Sequence, residues 1–332
     1  MLDTLKKYPV KISELKNTSL DTQDILATAV KKGFKIFRYH PKNDLFFLKN
    51  KSRQAWYFNR RFLDKSRVGA VVTKDKQFTK ELLESLNIPT PSGIIATKLS
   101  ELAKVGKAVK YPLVVKPYNS TNGKAVFTNV KSKNVMTKAY KIARRCSSAA
   151  IIEEYVDGEY YRLLIIGKKF FAAAQAKGAT VSGDGKKTVK DLIKEENLRL
   201  AKLSDHQHKS IALNSKAKRL LLAQELTSQS IPAKGRKVVL SFSGADGGEW
   251  IDVTDQIHAN NKKIGEKIAV SLGLNVIGVD IICHDISRPL TRQNGVVIEV
   301  NSVPFLEIHQ HPTIGKARDA ASAIIKTFFA KN

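Results

Sequence analysis

Val296–Asn301 reads VVIEVN, and Asn275–Asp280 upstream of it reads NVIGVD; these two stretches decide the fold. The first is a run of β-branched apolar residues interrupted by Glu299 and Asn301. Positions i and i+2 of a strand share a face, so a carboxylate and an amide stand side by side on an element whose other residues want burial. A buried carboxylate is costly unless it is paired or meets a cation. A hard cation with oxygen ligands suits the set, and Mg²⁺ holding substrate phosphates suits it best. Asp280, ending the upstream run, is the expected third ligand from a neighbouring strand. The competing reading puts Glu299 and Asn301 at a solvated strand end, and this segment alone leaves both open.

Composition narrows the field. A chain of 332 residues can bury a large core and divide into two or three subdomains. No apolar run is long enough to span a bilayer, and the N-terminus MLDTLKKYPVKISELK has no signal-peptide core. Cys146 and Cys283 lie far apart without metal-type spacing, so both are expected reduced, in the cytoplasm. The formal charge is +27, which attracts polyanions. The basic residues are spread along the whole chain, with no zinc-finger or RNA-recognition signature. A nucleic-acid partner is therefore disfavoured as the main role.

Read coarsely, the chain has three parts. Residues 1–72 form a small α/β lead-in. It has a helix over Thr22–Lys32 and short strands at Phe34–Tyr39, Asp44–Leu48 and Gln54–Phe58. Residues 73–148 carry a helix after Lys74–Asp75–Lys76, ended at Pro89, then a helix Leu99–Val109 and strands Leu113–Lys116 and Ala125–Phe127. Residues 149–332 alternate strands and helices up to a helix Arg318–Phe329. Hairpins mixed with helices point to an α+β fold around antiparallel sheets.

Two further stretches carry chemistry. Lys116 ends a buried strand and precedes Pro117–Tyr118–Asn119–Ser120–Thr121–Asn122–Gly123–Lys124, then another strand. A lysine there would leave the core unless it meets an anion, and a small polar turn can lay its N–H groups on phosphate oxygens. An ordinary hairpin with a snorkelling lysine explains the same residues. Ala149–Val156 reads as a strand bearing Glu153 and Glu154, and ends beside Tyr155 and Val156. Apolar faces next to free main-chain groups are equipment for a purine; a half-buried strand with exposed acids is the alternative.

The order of these signals adds specificity. A DK helix start, a VVKP strand with a polar loop, an EEYVDGEYYR hinge, a GVD strand and a VIEVN strand follow one another. From about Lys74 onward the chain resembles the ATP-grasp superfamily. Gly183–Ile193, Asp252–His258, Gly278–Ile282, Asp285–Leu290 and Glu299–Pro304 with His309 are similar to the ATP-grasp domains of cyanophycin synthetases. They are similar, too, to the glutathione-synthetase half of bifunctional glutathione enzymes. The resemblance implies an ATP-grasp fold, two α+β subdomains gripping nucleotide between them. Lys76 and Lys116 would contact phosphates, with Asn119, Ser120, Thr121, Asn122, Gly123 and Lys124 as the flap over them. Glu153, Glu154, Tyr155 and Val156 would form the adenine hinge. Asp280, Glu299 and Asn301 would hold magnesium, two Mg²⁺ ions or Mn²⁺ in their place.

The implied activity is that of a carboxylate–amine ligase. ATP converts the carboxylate of an amino acid or peptide to an acyl phosphate, and an amine captures it. An acidic peptide or protein tail fits the chain's charge, and an oligomer is left open. Several positions depart from the family pattern. Tyr160 stands where an acid is usual, leaving Glu159 as the candidate ribose contact. Ser241 stands where an arginine is expected, Phe305 replaces a small residue and Glu307 a frequent arginine. Arg162 and Arg236 are then the candidate catalytic cations, Arg236 as the substitute for the arginine missing at Ser241. These departures point to a changed substrate. The alternative is a catalytically weak ATP-binding module that docks a polyanion through its basic surface.

Overall fold

The computed structural model describes residues 8–38, 45–58, 60–62, 67–119, 125–203, 210–241, 244 and 247–329. The lead-in comprises β1 (Tyr8–Pro9), α1 (Leu20–Lys31), β2 (Lys35–Arg38), β3 (Leu45–Lys49), β4 (Gln54–Phe58) and β5 (Arg61–Phe62). Its strands form one sheet in sequence order. Ser19 caps α1 by accepting from Thr22 N, and Gly33, at φ 82°, lets the chain reverse beyond it.

Helices α2 (Arg67–Val72) and α3 (Lys76–Ser85) lead into a smaller sheet. β6 (Gly93–Ala96) precedes α4 (Val105–Ala108), β7 (Leu113–Pro117), β8 (Phe127–Val130), α5 (Lys133–Cys146) and β9 (Ala150–Glu154). The strand order is β6-β9-β7-β8. The expected helix Leu99–Val109 is instead a 3₁₀ segment Leu99–Lys104 running into the short α4. Gly106 and two flanking valines are poor material for a longer α-helix.

The second half supplies β10 (Glu159–Ile166), β11 (Lys169–Lys177), β12 (Thr180–Ser182), α6 (Val189–Leu203), α7 (Ser215–Ala223), β13 (Lys237–Val239) and β14 (Glu249–Asp252). α8 (Ala259–Leu272), β15 (Val276–Cys283), β16 (Gly295–Asn301), α9 (Glu307–Gln310) and α10 (Ala320–Phe329) complete it. The large sheet runs β14-β11-β10-β15-β16, with every neighbouring pair antiparallel. The expected α+β class is what forms.

Alternation along the large sheet decides what each face does. Leu163, Ile165, Val279 and Ile281 point to one side and pack under Ile268, Ala269 and Leu272 of α8. Leu164, Ile166 and Ala172 point to the other side, into a core shared with Ile25, Phe46, Tyr57, Ile324 and Phe329. The lead-in and the C-terminal helix are thus one packing unit on the face of the large sheet away from α8, the face that Leu164 and Ile166 share with Arg162. The sheets divide differently from the sequence reading. β9, expected in the part beginning at 149, pairs with β6 and β7 of the small sheet. Leu83 of α3 belongs to the core under α8, although α3 was placed with the small-sheet segment.

Candidate active site

Three strands of the large sheet bring the predicted residues together. Arg162 on β10 lies opposite Asp280 on β15, and Asp280 lies opposite Glu299 on β16. Directly opposed residues share a face, so the three form a row, with Asn301 one step along opposite Gly278. After Asp280 the register shifts, and Ile281 pairs with Val297. This bulge skips Ile298 and turns it to line the same cleft as Glu299.

The row is tightly bonded at its centre. Arg162 Nε donates to Asp280 Oδ1 at 2.6 Å and its Nη2 to Oδ2 at 2.7 Å, a two-pronged pair. The same Nη2 donates to the Tyr160 hydroxyl at 2.7 Å. Asn301 Nδ2 donates to Asp280 Oδ2 at 3.2 Å. Asp280 is 1% exposed, and its oxygens accept from Arg162 and Asn301. With the amide nitrogen of Asn301 committed, its carbonyl oxygen is the end left to accept. Glu299 stands at the cleft's rim, reached by solvent yet surrounded by protein. Loss of water and then Asp280 raise its carboxyl above the ordinary value, while Lys76, Lys116 and Arg162 oppose that shift.

Across the cleft stand the two lysines. Lys116, on β7, forms an ion pair with Glu153, on β9. Lys76 opens α3, and its Nζ donates to Pro117 O at 3.4 Å. Burial lowers the Lys76 pKa, and Lys116 lowers it further, while Glu299 and Glu153 pull it back. Lys76, Lys116, Glu153 and Glu299 therefore face one cleft, walled by Ile95 and Ile298.

The hinge is mixed. Glu154 turns away from the cleft: its carboxylate accepts from Ser92 N at 2.9 Å and from Arg292 Nη2 at 2.7 Å. Tyr155 N donates to Pro112 O at 3.0 Å. The Val156 backbone N–H has no hydrogen-bond partner among the described residues. Glu159 is exposed and accepts from Gln175 Nε2 at 3.3 Å. Asn119 is exposed, with its N–H on Ser147 Oγ at 3.0 Å; Ser120–Lys124 lie outside the described residues.

Arg236 does not join the row. It sits in the turn before β13, and its Nη2 donates to Gln224 O at 2.5 Å, beyond the end of α7. The antiparallel pair β12–β13 packs with α6 and α7, which lie between them in sequence, in a core of its own that carries Arg236 with it. It is not the replacement for the arginine missing at the buried Ser241.

Some groups at the site have no role assigned in the sequence reading. Ala174 lies opposite both Arg162 and Asp252, so Asp252 of β14 continues the row, held by Arg318 Nη2 at 2.6 Å. His309 on α9 is 2% exposed, and neither ring nitrogen has a partner among the described residues. Burial, then Arg162, push its pKa down to about 3, with Asp252 opposing. The hydroxyl of Tyr118 donates to Asp75 at 2.6 Å. Asp75 was legible as a helix start; Arg318, His309 and Tyr118 owe their placement to packing between distant segments.

No cluster of three or more Asp, Glu, His or Cys side chains among the described residues could hold a metal. The donors that remain, Glu299 and the Asn301 carbonyl, fit a Mg²⁺ ion completed by phosphate oxygens and water. Two amines and a guanidinium around two oxygen donors suit a phosphate chain bound with its metal.

Comparison with known proteins agrees with this geometry. Residues 74–191 match the family model described as phosphoribosylglycinamide synthetase, ATP-grasp (A) domain. Cyanophycin synthetase from Nostoc sp. is 32% identical over 267 residues, covering 79% of this chain and 30% of the relative. The bifunctional glutathione biosynthesis protein GshAB of Clostridium perfringens is 28% identical over 338 residues, covering 99% of this chain and 43% of the relative. The crystal structure of a bifunctional glutathione synthetase from Pasteurella multocida superposes with a TM-score of 0.68 at 27% identity. It covers 94% of this chain and 43% of that one. The chain spans less than half the length of these relatives. A cleft between two sheets, with Lys76 and Lys116 on one wall and Glu299 on the other, together with these likenesses, shows the ATP-grasp fold.

Proposed function

We propose that the chain is an ATP-dependent carboxylate–amine ligase, acting on an amino acid or a peptide. The observation that carries this reading is the meeting of Lys76, Lys116 and Glu299 in one cleft between the two sheets. Lys76 and Lys116 would neutralise phosphate charge, the largest electrostatic demand of phosphoryl transfer. Glu299 and the Asn301 carbonyl would hold Mg²⁺, which when bound supplies charge neutralisation at the phosphates. The open N–H of Val156 would donate to the edge of a purine, with Glu153 beside it. Arg162, aimed by Asp280 and Tyr160, would meet the negative charge of the acyl phosphate and of the oxyanion that forms when the amine attacks it. No nucleophilic side chain is required, because positioning and charge do the work.

The finer reading of the partner follows from charge. On α5, Lys133, Lys138, Lys141 and Arg145 are exposed on a helix without a single acid, and none has a carboxylate partner among the described residues. An acidic peptide as carboxylate donor or amine acceptor suits such a surface. The test is release of ADP and phosphate in the presence of Mg²⁺, screened over amino acids, dipeptides and a short glutamate-rich peptide. Release that depends on a carboxylate–amine pair and disappears in Glu299→Gln is the expected result. Tight MgATP binding with no release for any pair would instead support the weakly catalytic module.

A further inference from the structure

Tyr118 and Asp75 form a bond that the proposed activity does not use. The Tyr118 hydroxyl stands 2.6 Å from each oxygen of Asp75. Asp75 Oδ1 also accepts from Gln77 N at 2.9 Å and Phe78 N at 3.0 Å, and so caps α3. The two residues are 43 apart in sequence and sit on different bodies. α3 packs its Leu83 into the core of the large sheet, whereas Tyr118 continues β7 of the small sheet, its N–H on Ala149 O at 3.0 Å.

Each residue adjoins a lysine of the cleft. Asp75 precedes Lys76, and Tyr118 lies two places after Lys116. Those lysines repel each other, as the lowered Lys76 pKa records after burial is counted. Lys76 Nζ on Pro117 O, and Tyr118 on Asp75, both tie the bodies together at this end of the cleft. A lysine amine that turns to phosphate weakens its bond to a carbonyl. Neither Tyr118 nor Asp75 is among the described residues that line the cleft, so a phosphate there would compete less for their bond. Burial favours the neutral Asp75 carboxyl, but the Tyr118 hydroxyl and the helix amides outweigh it and hold the group ionised. The tie is therefore a charge-assisted hydrogen bond.

We infer that Tyr118 and Asp75 are positioning residues that hold Lys76 and Lys116 at the separation a polyphosphate needs, an inference that rests on the nucleotide reading of the cleft. Preorganised cations lose less on binding than cations that must first be brought together against their repulsion. The contribution should scale with the phosphates that reach both lysines, and so be large for ATP and ADP and small for AMP.

The test is calorimetric titration of MgATP, MgADP and AMP into wild type, Tyr118→Phe, Asp75→Ala and Asp75→Asn. Tyr118→Phe keeps the ring and removes only the hydroxyl. Its expected effect is about a tenfold loss for MgATP and MgADP, with AMP affinity and the melting temperature of the free protein little changed. Asp75→Ala should lose at least as much, and Asp75→Asn, which keeps an acceptor oxygen, should recover part of it. Equal MgATP affinity in Tyr118→Phe and wild type overturns the inference. A parallel loss for all three nucleotides with a lower melting temperature also overturns it, since that marks a merely structural tie. Absence of MgATP binding in wild type overturns the nucleotide reading itself, and the inference with it.

Discussion

Lys116 puts a charge on a strand whose neighbours Val115 and Ile152 are fully buried. The ion pair with Glu153 offsets the cost of that placement, and a phosphate bound in the cleft would offset it further. MgATP should raise the melting temperature of wild type by mass action, and Lys116→Ala should remove most of the shift while leaving the free protein folded. An unchanged shift in a thermal-denaturation series would show that the phosphates lie elsewhere. His309 makes a different case. Its pKa falls from 6.5 to about 3, because burial and Arg162 disfavour the imidazolium. A depressed value means that the unfolded chain binds the extra proton. The stability it contributes is present above 6.5 and drains away as the pH falls toward about 3. His309→Leu should therefore flatten the acid side of the stability curve, in melts taken across that window. It should cost little at neutral pH, since the ring has no hydrogen bonds to lose among the described residues. Lys116, Asp280, Glu299 and Asn301 stood out in the sequence as candidates because a polar residue in an apolar strand is an anomaly visible in one dimension. Arg236 misled because closeness in sequence to Ser241 says nothing about where its side chain turns once β13 has paired with the distant β12.

At the scale of elements, α1 and α9 show how the lead-in reaches the site. Asp21 of α1 accepts from Leu306 N at 3.2 Å and from Glu307 N at 2.8 Å, satisfying the open amides that start α9. Asp24 accepts from Gln310 Nε2 at 2.6 Å on the same short helix, which also carries His309. Burial raises the Asp21 pKa from 3.8 to about 6, against its amide donors and Arg60. A raised carboxyl contributes stability that is complete below 3.8 and lost as the pH rises through about 6. Asp21→Asn keeps an acceptor oxygen and sheds the charge, so it should gain on wild type as the pH rises through that window. Asp21→Ala should lose about 1–3 kcal/mol at any pH, because the α9 amides are left unpaired. Paired urea titrations at two pH values measure both outcomes. Elements with clear periodicity were placed well: α1, β4 and α10 fall within two residues of their expected starts. β8 begins at Phe127 rather than Ala125, whose φ of 56° keeps it out of the strand. The 3₁₀ segment was missed because its apolar spacing is also that of an α-helix.

The whole molecule is less divisible than its sequence suggests. Residues from α1, β3 and β4 share a core with α10 and with Leu164 and Ile166 of the large sheet. Removing the lead-in, in a truncated chain that begins at Arg67, should expose that face and give an aggregating or unfolded protein. A cooperative melt and normal MgATP binding in the truncated chain would show that the lead-in is dispensable. By itself the sequence determined the α+β class and the strands that bear Asp280, Glu299 and Asn301, whereas Lys76 entered only through the family resemblance. Those features follow from local rules, the two-residue period of a strand and the cost of a buried charge. Only the tertiary structure decided that Asp280 serves Arg162, that β9 belongs to the small sheet, and that Tyr118 ties Lys116 to α3. Each depends on which distant segments meet across a sheet or a cleft, and strand pairing and side-chain partnership are set by packing in three dimensions, which no local pattern encodes.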